Sequence, residues 1–351
     1  MSKQSTHVTA DEITGVLGML PTPATPDADH WSCMQSVDLD ETARMAEMIV
    51  AGGVSILLTG GSFGEGATLT WEEHQAFTDC LVQTVGPHCR IFAGATTLNT
   101  RDTIARGRAL VALGATGLFL GRPMWMSLDP RDIVRFYQDV AEALPGVALI
   151  IYDNQFAFKT KITTQTYAEL SHIPEIVATK HIGGPAIADD LRAVGGRMRV
   201  LPVDSQWAAL ARAFPEEATA CWSGNVADGP EPLAALAQAV AGGDYDHADL
   251  ICERMAWAQS AMFPDGKLEN FVDYNVPIAR ARLEGSGLVK SGPPRPPYLH
   301  APEAYWEGGR ETGRRWKSLR VLFGAAVVFQ GSAGRAQQAQ PEMDSSDANS
   351  D

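Results

Sequence analysis

Hydrophobic positions along the chain fall in short runs, and the runs alternate with stretches of helical period. Eight runs rich in Val, Ile and Leu lie at 15–23, 55–61, 90–96, 117–123, 148–154, 176–183, 198–204 and 218–225. Their apolar residues are continuous rather than alternating with polar ones, as strands buried on both faces of a parallel sheet require. The segments between them carry helix-end signals. Asp38 and Glu41 have the spacing of a capping box, Thr70 and Glu73 repeat it, and Asp129-Pro130 sets an N-cap before a proline at the first helical position. Gly52-Gly53, Gly114 and Gly195-Gly196 stand where helices end. Eight strand–helix units in series predict an α/β chain closed into a (β/α)8 TIM barrel, with an open doubly wound sheet as the structural alternative.

Beyond residue 226 the pattern is almost wholly helical and exceeds what closes a barrel. The final stretch, GSAGRAQQAQPEMDSSDANSD, has almost no apolar residues. The divisions expected are a flexible N-terminus at 1–11, the barrel at 12–230, a C-terminal helical extension at 231–325 and a disordered tail at 326–351.

Composition narrows the classes of function. The chain has 351 residues, 45% of them hydrophobic, and a formal net charge of -14. With no basic run it lacks the clustered Lys and Arg that phosphate contacts need, so no nucleic-acid partner is expected. Five scattered cysteines show no C-x-x-C spacing, and the eight histidines form no H-x-H, H-x-x-x-H or H-E-x-x-H pattern. Neither a disulfide framework nor a metal site is expected. The N-terminal residues have no apolar h-region, and no apolar stretch is long enough to span a bilayer. The expected setting is cytoplasmic, with no membrane partner.

In such a barrel the chemistry sits where strands end. Of seven lysines, Lys180 alone terminates an apolar strand run. Desolvation at a barrel mouth disfavours its charged form and leaves a free amine able to attack a ketone. The alternatives are a lysine that snorkels to water or one that pairs with Glu65. Lys159 and Lys161 compete, but they lie in the loop beyond strand 5. Tyr152 ends strand 5, where a phenol can relay protons or simply fill the core. Strand 2 runs into Gly60-Gly61-Ser62-Phe63-Gly64-Glu65, a turn that suits either a carboxylate on its backbone N–H groups or a purely structural bend. Trp125 after strand 4, Trp222 at the end of strand 8, and Phe156 and Phe158 would make the mouth aromatic, fit for an aryl group or for ordinary packing. His181 follows Lys180, points to the opposite face and is read as structural.

Together these residues resemble the dihydrodipicolinate synthase / N-acetylneuraminate lyase family of class I aldolases, over roughly residues 12–300. The family pattern is a G-[ST]-x-G-E turn after strand 2, a Tyr ending strand 5 and a Lys ending strand 6. Here these are Gly61 to Glu65, Tyr152 and Lys180. Departures narrow the likeness. The lysine-biosynthesis synthase has a second Thr where Phe63 stands, an Arg soon after the strand-5 Tyr where 153–160 has none, and Pro-Tyr-Tyr where 123–125 reads Pro-Met-Trp. LPTPATPDADHW (20–31), GEGATLTWEEH (64–74), AGATTLNTRDTI (93–104) and GPPRPPY (292–298) are similar to the subgroup of trans-o-hydroxybenzylidenepyruvate hydratase-aldolases. Within that subgroup this chain departs at Gln155, where Pro is usual, and at His181, where Tyr is usual.

The resemblance implies a carbon–carbon lyase of aromatic-hydrocarbon catabolism that converts an aryl-substituted benzylidenepyruvate and water to an aromatic aldehyde and pyruvate. It implies Lys180 and Tyr152 as catalytic residues. It implies Gly61, Ser62, Phe63, Trp125, Trp222 and Asn275 as substrate contacts, the last two beside the aryl group or the water. No cofactor beyond the covalent lysine imine is expected, and the partners are a keto acid, an aromatic aldehyde and further copies in a homotetramer. Other readings are a carboxybenzylidenepyruvate aldolase, a 4-hydroxy-tetrahydrodipicolinate synthase-like enzyme and, more remotely, a non-catalytic keto-acid-binding protein.

Overall fold

The computed structural model describes residues 8–336, with side chains to 324. All eight apolar runs contain a strand: β1 Gly15–Met19, β2 Ile56–Leu58, β3 Arg90–Gly94, β4 Gly117–Leu120, β5 Ala148–Tyr152, β6 Ile176–Lys180, β7 Arg199–Leu201 and β8 Ala220–Ser223. β1 to β7 pair in parallel in sequence order, and β1 pairs in parallel with β8. The ring closes between β7 and β8 by one parallel bridge, Val203 to Trp222, with the Trp222 N–H donating to the Pro202 carbonyl at 2.9 Å. The expected (β/α)8 barrel is therefore the fold, and the open sheet is excluded.

The outer helices are α1 Leu39–Ala51, α2 Trp71–Val85, α3 Thr100–Leu113, α4 Pro130–Ala143, α5 Thr164–Leu170, α6 Ile187–Val194, α7 Trp207–Ala213 and α8 Glu231–Ala241. Their ends follow the expected chemistry with one exception. Thr70 and Glu73 form a complete capping box, and Asp129 caps α4 ahead of Pro130. Asp38 accepts the Glu41 N–H, but the Glu41 carboxylate does not return to cap it. It accepts instead from Arg44 and from the Lys290 N–H, so half of that box is spent on anchoring the chain near its C-terminal end.

Three boundaries shift. The segment 1–11 was expected to be flexible, but Val8 is 3% exposed and Ala10–Glu12 form a turn of 3-10 helix whose Asp11 pairs with Arg199; residues 1–7 lie outside the described residues. The barrel ends at α8 rather than at 230, because α8 is the eighth outer helix and packs on β1. The extension comprises α9 Tyr245–Gln259, α10 Leu268–Val272, α11 Asn275–Ser286 and α12 Glu303–Ala336. α12 runs through the expected boundary at 326 to Ala336, and residues 325–329, which straddle that boundary, read Ala-Ala-Val-Val-Phe in the sequence. The rest of the expected disordered tail, 337–351, lies outside the described residues.

The extension is locked to the barrel mouth by a buried charge cluster. Glu65, in the turn after β2, takes a left-handed backbone (φ 53°) and is 4% exposed. Arg280 of α11 and Arg295 both ion-pair with it. Both arginines also donate to the Thr22 carbonyl after β1. Burial lowers both guanidinium pKa values, against the pull of Glu65. Removing the shared anion leaves two buried cations uncompensated, which costs about 3–5 kcal/mol. Glu65→Ala is accordingly expected to lower unfolding stability by that order in urea titrations, and a loss below about 1 kcal/mol contradicts the anchoring role.

Candidate active site

Strand register sets the site. Lys180 and Tyr152 are direct partners across β6 and β5, and Leu201 of β7 flanks Lys180 on the other side. Lys180 is 7% exposed. Its Nζ lies 3.9 Å from the centre of the Trp222 ring and 5.3 Å from that of Tyr152. Burial among these aromatic faces lowers its pKa from 10.5 to about 8, against a weaker upward pull from the Asp153 carboxylate. An amine so placed is much more often neutral, and hence nucleophilic, than a surface lysine. The snorkelling alternative is excluded by the burial, and pairing with Glu65 by the two arginines that hold that carboxylate.

Tyr152 is 5% exposed, stacked on Phe119 at 4.8 Å and met edge-on by Phe158 at 5.3 Å. Its hydroxyl donates to Ser62 Oγ at 2.9 Å and accepts from Asn154 Nδ2 at 3.1 Å and from the Ser62 N–H at 3.3 Å. The turn lies close to both rings: a Cβ at residue 61 would stand 3.3 Å from Phe119, a tight contact, and 3.5 Å from Tyr152. Among the described residues the next N–H, that of Phe63, has no acceptor. A free amine, a hydroxyl pair and an unpaired backbone donor thus converge on one end of the barrel, a set that suits a keto acid.

The other expected residues divide. The Phe63 ring is buried under the Arg282 guanidinium, 4.7 Å from its centre, and Arg282 in turn pairs with Asp228 and donates to Asn225 and the Gly224 carbonyl. Trp222 lies against Lys180. Asn275 opens α11, its Oδ1 enclosed and without a hydrogen-bond partner. Trp125 does not join them: the residue is 75% exposed, and its carbonyl accepts from Lys159 Nζ at 2.9 Å. A cavity of about 480 Å³ lined by Arg280, Glu284 and Trp306 lies in the extension, and none of these site residues lines it.

Several supporting residues were not singled out from the sequence. Asn154 orients Tyr152. Arg122 and Asp153, both wholly buried, pair at 3.1 Å, and Tyr167 donates to Asp153 at 2.8 Å. Asp204, three residues beyond β7, accepts from Ser223, Asn225 and Gln259 and so ties the end of β8 to α9. A carboxylate closing an apolar strand run was the available signal for Asp204. Among the described residues no group of three or more His, Cys, Asp or Glu could hold a metal ion, and no helix is long and apolar enough to cross a membrane.

A closed barrel with a buried lysine at the mouth defines the class, a barrel protein equipped for imine chemistry. Residues 15–305 match the dihydrodipicolinate synthetase family, and the chain belongs to that family. It is 49% identical to a trans-2'-carboxybenzalpyruvate hydratase-aldolase of Nocardioides sp. (strain KP7), over 92% of this chain and 99% of that protein. It is 40% identical to a trans-O-hydroxybenzylidenepyruvate hydratase-aldolase of Pseudomonas putida, over 91% and 98%. The solved structure of PhdJ bound to a substrate intermediate superposes with a TM-score of 0.89 at 50% identity, over 90% of this chain and 99% of that one. Dihydrodipicolinate synthase from Aquifex aeolicus, at 21% identity and a TM-score of 0.73 over 87% and 98%, shares the fold.

The depressed lysine has a thermodynamic consequence. Its folded pKa, about 8, lies below the ordinary 10.5, so at neutral pH the folded state carries a cost that the unfolded chain does not. Lys180→Met is expected to raise stability at neutral pH by on the order of 1–3 kcal/mol while abolishing any imine. The gain shrinks as pH climbs from about 8 towards 10.5, where the lysine is uncharged in both states. Urea titrations at neutral and alkaline pH measure it, and a Met variant less stable than the wild type at neutral pH contradicts it.

Proposed function

We propose that the protein is a Schiff-base hydratase-aldolase, a carbon–carbon lyase that splits an aryl-substituted benzylidenepyruvate, with water, into an aromatic aldehyde and pyruvate. The observation that carries this is the buried Lys180 amine one strand away from the Tyr152–Ser62 hydroxyl pair. Near-full-length likeness to two hydratase-aldolases, which differ in the substituent that their names give, supports the aryl substrate.

In this reading the keto acid carboxylate docks on the N–H groups of Ser62 and Phe63, displacing Tyr152 from the former. Lys180 attacks the ketone. Tyr152, relayed through Ser62, moves protons as the carbinolamine forms and loses water. The resulting iminium is conjugated to the alkene, so water adds at C4, the enamine this creates takes up a proton at C3, and the iminium is restored with a hydroxyl on C4. Loss of that hydroxyl's proton releases the aryl aldehyde as the C3–C4 bond breaks, and the bond's electron pair passes to the iminium to form an enamine. Protonation at C3 and hydrolysis release pyruvate and return Lys180. Trp222 and Asn275 flank the aryl group or the water. The lysine imine is the electron sink, so this chemistry calls for no metal. Trp125 contributes only if its loop turns inward. A cytoplasmic homotetramer completes the reading.

Hydroxy-, carboxy- and nitro-substituted benzylidenepyruvates, followed by the loss of their conjugated absorbance, test the assignment. Aldehyde release from at least one is expected, with kcat near the common enzymatic range of about 1–1,000 per second. Silence on all of them alongside condensation of pyruvate with a non-aromatic aldehyde would move the protein to the synthase side of its family.

A further inference from the structure

The segment joining β6 to α6 holds one imidazole that the reaction above leaves unused. His181 is 1% exposed, and every polar atom it carries has a partner. Its Nδ1 accepts the Gly183 N–H at 2.9 Å, which places the ring proton on Nε2. Nε2 then donates to Asp190 of α6 at 3.0 Å, and the other Asp190 oxygen accepts from the Thr164 hydroxyl of α5. The His181 N–H donates to the Leu201 carbonyl at 3.0 Å. Its own carbonyl accepts the Trp222 indole N–H at 2.8 Å. That indole is the one lying over the Lys180 amine.

We infer that His181 is a positioning residue for the imine-forming step: its ring closes the 181–183 turn, so that the carbonyl at 181 holds Trp222 against Lys180. Each link is visible. The bond from Gly183 to Nδ1 sets the orientation of the peptide that bears the carbonyl. Gly183 can make it because its backbone is left-handed (φ 90°), a conformation that favours glycine. Asp190 prevents the imidazole from rotating. The indole so held covers one side of the amine and excludes the water that would favour its charged form. This inference rests on the reading of Lys180 as the nucleophile.

Three substitutions separate this role from space-filling. His181→Asn keeps an acceptor at the Nδ1 position, His181→Gln reaches only towards Asp190, and His181→Phe fills the space without either bond. In aryl aldehyde release, the Phe and Gln variants are expected to lose on the order of 10–100-fold in kcat/KM, with Asn within about threefold of wild type. Trp222→Phe keeps a ring but loses the indole donor. Its loss and that of His181→Phe are expected to combine sub-additively, because both break one hydrogen bond. Should His181→Phe fail to fold, the Asn–Gln contrast and Trp222→Phe carry the test. Wild-type rates in His181→Phe, no advantage of Asn over Phe or Gln, or fully additive losses overturn the inference. A wild-type protein that releases no aldehyde overturns the aryl reading, and one whose Lys180 forms no borohydride-trapped imine with pyruvate overturns this inference with it.

Discussion

The arrangement depends on holding a primary amine where its charged form is poorly solvated. Lys180 ends a strand whose preceding residues are buried, and aromatic faces from β5 and β8 close over its Nζ. The opposing terms have unequal weight. A ring face attracts an ammonium by about 1–2 kcal/mol, whereas a fully buried lysine can be depressed by several pKa units. Burial wins, and the pKa settles near 8. A value near neutrality lets one group attack a carbonyl as a free amine and be regenerated by proton transfer.

The parts that surround the amine are fixed from outside the barrel. The turn bearing Ser62 is tied through Glu65 to Arg280 and Arg295, which belong to the C-terminal third of the chain. The end of β8 is tied through Asn225 and Gly224 to Arg282, also on α11. The extension therefore acts as a brace on two of the strand ends that meet at the site. Polar groups buried to this degree specify one geometry only when every member is satisfied, and Glu65 and Asp204 each have several partners.

Much of this was legible in the sequence because a parallel strand covered on both faces leaves an unbroken apolar run, and a barrel strand ends at its chemistry. Lys180, Tyr152 and Ser62 each stood at or just past the end of a strand run with a structural alternative open, the family pattern joined them, and the structure brings them to one end of the barrel. Directions of side chains on loops were not legible. Trp125 has the composition of a pocket wall, yet nothing in its neighbours' identities tells which way its loop turns it. The extension's role was hidden for a different reason. Arg280 and Arg295 meet a carboxylate more than 200 residues earlier in the chain, and neither local period nor spacing encodes such a contact. The tail boundary was drawn at 326, but the polar stretch starts only at Gly331, and α12 runs on through the apolar residues 326–329.

The central claim is that the Lys180 amine forms an imine with a keto acid. Incubation with pyruvate and borohydride, followed by mass measurement of the intact protein and of its peptides, tests it directly. The account predicts one reduced pyruvyl group per chain, borne by Lys180. An unmodified protein, or an adduct carried by another lysine, would contradict it.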